Sequence, residues 1–212
     1  MNSRLLNFFI LILKQLNMKK IILSILAVAT FGTANAQEAT STDGGFAKGD
    51  LFLTGSFGIS SEKTGDDKSN SFTVAPSLGY FVSDKIAIGG RISYTSDKAE
   101  SENVDTQDLT ALGISGFARY YWTPANKFSI FGEAEVSYVS AENNLTNAKG
   151  SGFGLGIAPG VSYFLSSNFA IEASWGLLGY NTFEVDGAQD STNTFDLGLD
   201  LNDLRFGLIY KF

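Results

Sequence analysis

Six charged side chains are placed where they could act together. Arg91, Arg119 and Arg205 carry positive charge and Glu133, Glu135 and Glu172 carry negative charge, each inside a stretch that otherwise alternates apolar with small or polar residues. Each lies some four to eight residues from a short turn or from the C-terminal Phe212, so all six are expected at similar depth in a folded sheet. Three guanidinium groups and three carboxylates held at one depth can neutralise one another, and charges shielded from water need such partners. The same set could instead line a water-filled passage or a proton path. Other chemistry is restricted by two absences. The chain has no His and no Cys, which removes the commonest general base and metal ligand, thiolate nucleophiles and disulfides. A Ser-His-Asp site is impossible, and no Ser–Lys or paired-Asp constellation stands out. No catalytic, cofactor or metal residues are assigned.

The elements that would position these charges are strands. Period-two alternation begins after a polar lead and persists to the end of the 212-residue chain, which is the strand signature. Eight strands are expected, at about 50–60, 71–82, 86–96, 109–122, 128–140, 152–165, 169–181 and 195–212. The connections alternate in length. Three are tight ("SDK", "TPANK", "SSN"), whereas residues 60–70, 96–108, 141–150 and 181–194 are longer, polar and net acidic. Short turns at one end and long loops at the other is the arrangement of a transmembrane barrel. A hairpin unit recurs: "APSLGYFVSDKIAI" (75–88) matches "APGVSYFLSSNFAI" (158–171), with a weaker copy in "ARYYWTPANKFSI" (118–130).

One parity is apolar (Leu51, Leu53, Phe57, Ile92, Ile114, Ile130, Leu155, Trp175, Leu177 and their companions) and the other holds Thr, Ser, Gly and the six charges. A soluble barrel would bury the apolar face inside. Apolar outside and polar inside is the membrane inversion, and closure pairs every backbone group, as hydrocarbon requires. Aromatics gather near both strand ends, as at two water–lipid interfaces. Gly152, Gly154, Gly156 and Gly160 would face inward and make room for bulk such as Phe131 and Tyr180. Pro76 and Pro159 sit mid-strand and predict bulges. Leu197, Leu199 and Leu201 fall on the parity opposite to Leu204 and Phe206, which predicts a bulge near Asn202 or Asp203, or that the strand leaves the membrane there.

The first segment reads as an address. Met18 is the better start; Lys19 and Lys20 precede the apolar run Ile21 to Val28, and Ala34-Asn35-Ala36 is an A-x-A cleavage site. This predicts a signal-peptide helix within residues 1–36, cut after Ala36, then a polar periplasmic lead over 37–49 and the barrel over 50–212. The first 36 residues hold four basic residues and no acid, so a chain of net charge −7 leaves −11 on residues 37–212. That argues against nucleic-acid binding.

From about residue 46 onward the chain resembles the small eight-stranded outer-membrane β-barrels of Gram-negative bacteria, the broad porin-like outer membrane protein beta-barrel domain family. The most specific element is a C-terminal assembly signal of polar residue, glycine, hydrophobic residue and terminal aromatic, whose places are filled by Arg205, Gly207, Tyr210 and Phe212. The resemblance implies a closed antiparallel up-and-down barrel in the outer membrane, surrounded by lipid and delivered by the barrel-assembly machinery. A monomer is expected. The function expected is non-enzymatic, structural or loop-mediated binding, with the lumen plugged by the Arg/Glu network. The alternative is a narrow pore or transporter for small solutes or hydrophobic molecules, with Phe183, Val185 and Phe195 as a hydrophobic mouth.

Overall fold

A computed structural model describes residues 44–198 and 204–212; the leader and its Ala36 cleavage site lie outside the described residues. The alternation of the sequence folds into β1 (Leu51–Thr64), β2 (Asp67–Phe81), β3 (Ile86–Ser101), β4 (Val104–Tyr121), β5 (Phe128–Asn143), β6 (Ala148–Phe164), β7 (Phe169–Trp175), β8 (Leu178–Val185), β9 (Thr192–Leu197) and β10 (Leu204–Lys211). Each of β1 to β5 pairs antiparallel with the next, and β5 pairs with β6. β7 and β8 lie end to end along β6, and β10 and β9 lie along β7 and β8. These ten segments therefore occupy eight positions. β10 returns to β1, from Phe52 opposite Lys211 to Ser56 opposite Gly207, and closes the barrel.

The one strand expected over 169–181 is split because Pro159 has no N–H to offer its neighbour. Gly160 pairs with Ser174 and Ile157 pairs with Leu178, so Ala158 and Pro159 face three residues, Trp175, Gly176 and Leu177. The extra residue is a bulge. A one-residue slip exchanges the two faces, so beyond it Leu178 and Tyr180 point outward and Gly179, Asn181 and Phe183 inward. This corrects the expectation that Tyr180 fills the space left by the β6 glycines. A Cβ on Gly150 or Gly152 would instead meet Phe183, and one on Gly154 would meet Asn181.

Pro76 produces no bulge. It stands in unbroken register opposite Gly55, where a Cβ would lie 3.4 Å from the proline Cα. Toward β3 the ladder skips Ala75 and Pro76 without a shift. In the last strand, Leu197 pairs with Leu178 and Leu204 with Trp175. On the facing strand only Gly176 and Leu177 separate those two partners. Asn202 and Asp203 themselves lie outside the described residues.

The long polar connections are largely not loops. β1 and β2 pair up to Thr64 opposite Asp67, and β3 and β4 up to Ser101 opposite Val104. The second turn is only Glu102 and Asn103, both at positive φ (52° and 64°), the backbone of a tight hairpin. Hydroxyl, amide and charged side chains hold these ribbons together. Asp108 accepts from Lys98 Nζ at 2.9 Å and Asn144 Nδ2 at 2.8 Å. The hydrogen bond from Asn144, reinforced by Lys98, holds its carboxyl below the ordinary value of 3.8.

Candidate functional site

The barrel wall sets a layered lumen. Its outer surface carries a continuous apolar band that includes Ile92, Ile114, Ile130, Leu155, Ile171 and Leu208, all well exposed. An exposed apolar band this large marks a surface that meets a membrane or another protein. The inward positions of the same strands, starting from the end with the three short turns, form an aromatic layer, a charged layer and then a polar cavity.

The aromatic layer consists of Phe52, Phe81, Tyr121, Phe131 and Phe164, all fully buried. Phe81 and Tyr121 lie 5.1 Å apart between ring centroids, as do Tyr121 and Phe131. Phe131 is expected inside from the sequence, beside the β6 glycines, and a Cβ on Gly160 would indeed meet it; the other four share a parity with Ser, Gly and charge and do not stand out along the chain. A signal was nevertheless available in the repeats. In "YFV", "YYW" and "YFL" the first aromatic, Tyr80, Tyr120 or Tyr163, faces outward, and the middle residue, Phe81, Tyr121 or Phe164, is fully buried inside. The core is therefore written in the middle letter of each repeat.

Charges sit on that floor. Arg119, 2% exposed, donates from Nε to Glu133 Oε2 at 2.5 Å and from Nη1 to Glu172 Oε2 at 2.8 Å. Arg91 bonds Glu133 at 3.0 Å and also contacts Glu135. Thr54 Oγ1 donates to Glu172 Oε1 at 2.8 Å. The Arg119 guanidinium lies over the Phe131 ring beneath it, 4.6 Å from the centroid, and 5.1 Å from the centroid of Phe117 above, contacts that are favourable between a cation and a ring face. β4 supplies Arg119, β5 supplies Glu133 and β7 supplies Glu172, so the network crosses the lumen from wall to wall.

Five of the six charged residues singled out from the sequence thus meet, with two guanidinium groups against three carboxylates. Arg205 does not join them. It is exposed on the wall of the cavity above, and no ion pair joins it to a described residue. The cavity, about 820 Å³, is lined by Glu133, Glu135, Ser137, Asn181, Asp196 and Arg205 among others. Arg205 belongs to that space because it faces Ser174 across the β10–β7 ladder, one inward step above the pair of Gly207 and Glu172. Gly207 has a local reason as well. A Cβ there would lie 3.0 Å from Glu172 Oε1, so the glycine leaves room for the carboxylate. Of the other residues in the proposed C-terminal signal, Tyr210 faces outward, its ring exposed in the band. The expected hydrophobic mouth is divided, since Phe183 faces inward against Gly150 and Gly152 whereas Phe195 is exposed on the outer face.

The family description "Outer membrane protein beta-barrel domain" matches residues 24–212. Among solved structures, the outer membrane protein OprG from Pseudomonas aeruginosa is similar with a TM-score of 0.50 at 17% identity, over 81% of this chain and 99% of that one. Neisserial surface protein A is similar with a TM-score of 0.48 at 18% identity, over 76% and 97% of the two chains. At such identities these likenesses speak to fold alone. No curated protein matches the chain.

Proposed function

The chain belongs to the outer membrane protein beta-barrel domain family, and from that premise we propose that it is a non-enzymatic barrel of the Gram-negative outer membrane whose lumen is plugged and whose work is structural or done by its outward hairpins. The observation that carries this reading is Arg119, which reaches Glu133 on one side and Glu172 on the other and rests on Phe131. An eight-stranded barrel has an interior just wide enough for side chains to fill, and the reach of this network between strands at one level supports a plug there. The absence of His and Cys supports the non-enzymatic part. In planar bilayers the folded protein is expected to show no steady conductance. A sizeable, stable single-channel current in the unaltered protein would overturn the plug.

The alternative, a narrow pore or transporter for small solutes or hydrophobic molecules, draws on the cavity above the charges. It requires a path past Arg119. Liposome swelling with small sugars and amino acids separates the two readings, and only the second expects uptake.

Export by a signal peptide within residues 1–36, with Met18 as its start, and delivery by the assembly machinery complete the proposal. The exposed Tyr210 and the terminal Phe212 would be the residues read during assembly. Deletion of Phe212 is expected to lower the yield of heat-modifiable, membrane-inserted barrel severalfold while leaving the folded fraction with normal stability. Unchanged yield in the deletion strain would remove Phe212 from that role.

A further inference from the structure

The polar lead ahead of β1 ends in a segment that is not a tail. In "GGFAKGD" (44–50) Phe46 is 2% exposed and inserts among four rings of the aromatic layer. Ring centroids are 4.7 Å away for Phe81, 4.9 Å for Phe164, 5.2 Å for Tyr121 and 5.4 Å for Phe52. Those rings come from β2, β6, β4 and β1, so one side chain touches strands around the whole circumference.

The backbone on either side of Phe46 is equally engaged. Phe46 N donates to Pro124 O at 2.7 Å, in a turn between β4 and β5, and Gly49 N donates to Phe81 O at 2.9 Å. Asp50 accepts from Ala47 N at 2.9 Å, closing a tight turn. Gly44 and Gly45 have φ of 88° and 117°. A Cβ on them would lie 2.5 Å from Phe164 Cβ and 2.6 Å from Ala125 O, so only glycine fits both the conformation and the space.

The fourth copy of the strand-end repeat supplies the pin. In "YKF" (210–212) the inward middle position, filled by a ring in the other three, is Lys211. Its ammonium donates to Gly45 O at 2.7 Å, lies 3.5 Å from Asp50 Oδ2 and stands over the Phe164 ring at 5.5 Å. A phenylalanine at this position would have no donor for that carbonyl, and no ring would bring a charge to that carboxylate. The substitution in the repeat therefore fits the segment it holds.

We propose that Gly44–Asp50 is a built-in cork. It seals the periplasmic mouth of the barrel and, through Lys211, latches the last strand to the segment that leads into the first. The lumen then has two seals in series, the cork below and the Arg/Glu layer above, and the outward-facing cavity is blind. The cork stands on different contacts from the charge plug and can fail without it.

Hydrogen–deuterium exchange on the folded barrel in lipid nanodiscs tests this directly. Peptides covering residues 44–50 are expected to exchange at least about a hundredfold more slowly than an unstructured chain, as amides do when opening costs free energy. Phe46→Ala should return these peptides to within a few-fold of free-chain exchange and leave the β3–β6 peptides unchanged. Lys211→Met, which keeps the stem and removes the charge, should lower the protection of 44–50 by roughly tenfold or more. Free-chain exchange of 44–50 in the unaltered, folded protein would overturn the cork even if neither variant can be folded. Full protection in a folded Phe46→Ala variant would overturn it too. A conducting wild type would overturn both seals, even with residues 44–50 protected.

Discussion

Replacing Arg119 with alanine is expected to destabilise the folded barrel by about 3–5 kcal/mol, the usual cost of removing one partner from a buried ion pair. The size follows from what is left behind. Glu133 loses its 2.5 Å bond and retains only Arg91, and Glu172 retains only Thr54. Both carboxylates then lie in a space designed around a guanidinium and walled by Phe117 and Phe131. Lysine should rescue little, because a point charge cannot reach carboxylates on both β5 and β7 at once as the planar guanidinium fork does. A double change, Arg119→Met with Glu133→Gln, should recover part of the loss, since removing charges in pairs leaves less uncompensated. Urea titration of the barrel in lipid, followed by heat-modifiable gel mobility, gives the numbers. A loss below about 1 kcal/mol would put the pair in the range of solvated surface pairs and would mean that water fills the lumen.

Ile92→Lys tests the other face and is expected to cost about 2–4 kcal/mol, as a lysine does at the bilayer midplane on a lipid-facing barrel position. Ile92 lies opposite Ile114 on the β3–β4 ladder, six residues above Ile86 at the start of β3. At the rise of a tilted strand that places it roughly 15 Å into the band, near its middle. On a water-exposed surface the same change would fall within about 0.5 kcal/mol. The matched control is Val104→Lys at the tip of the second hairpin, an equally apolar and exposed side chain that stands above the band, and it should be nearly neutral. Equal, small effects at both positions would place Ile92 in water and remove the argument from the apolar band.

How much of this could be read beforehand depended on how local each signal was. The alternation from Leu51 to Ile171 assigned inward and outward faces correctly because strand parity needs only the residues of one strand. The same reasoning failed beyond Trp175. Pro159 acts on a neighbouring strand, and the bulge opposite it reverses which of Tyr180 and Phe183 faces in. Pro76 shows the converse: an identical residue in an identical motif left the register intact. The first two outward hairpins looked like loops because their residues are polar, yet they are paired right up to two-residue turns. Backbone pairing continues wherever a partner strand is present, whatever the side chains contact.

The candidate site divided in the same way. Charges on an inward parity at common depth were visible as a set, and five of them meet. Arg205 shares that parity and stands one step too high, because depth in a closed barrel depends on the stagger between strands and not only on distance from a turn. Phe46 carried no signal at all, being a lone aromatic in a glycine-rich lead.

By itself the sequence determined the class of the molecule: strands, an apolar outside, a polar inside, and chemistry without histidine or cysteine. Those are properties of composition and of period two, which survive any arrangement of the strands. Only the tertiary structure decided which charges touch, where the register slips, and that Lys211 reaches a carbonyl 166 residues earlier in the chain. Such contacts exist only once the last strand has closed against the first, and closure depends on every strand at once.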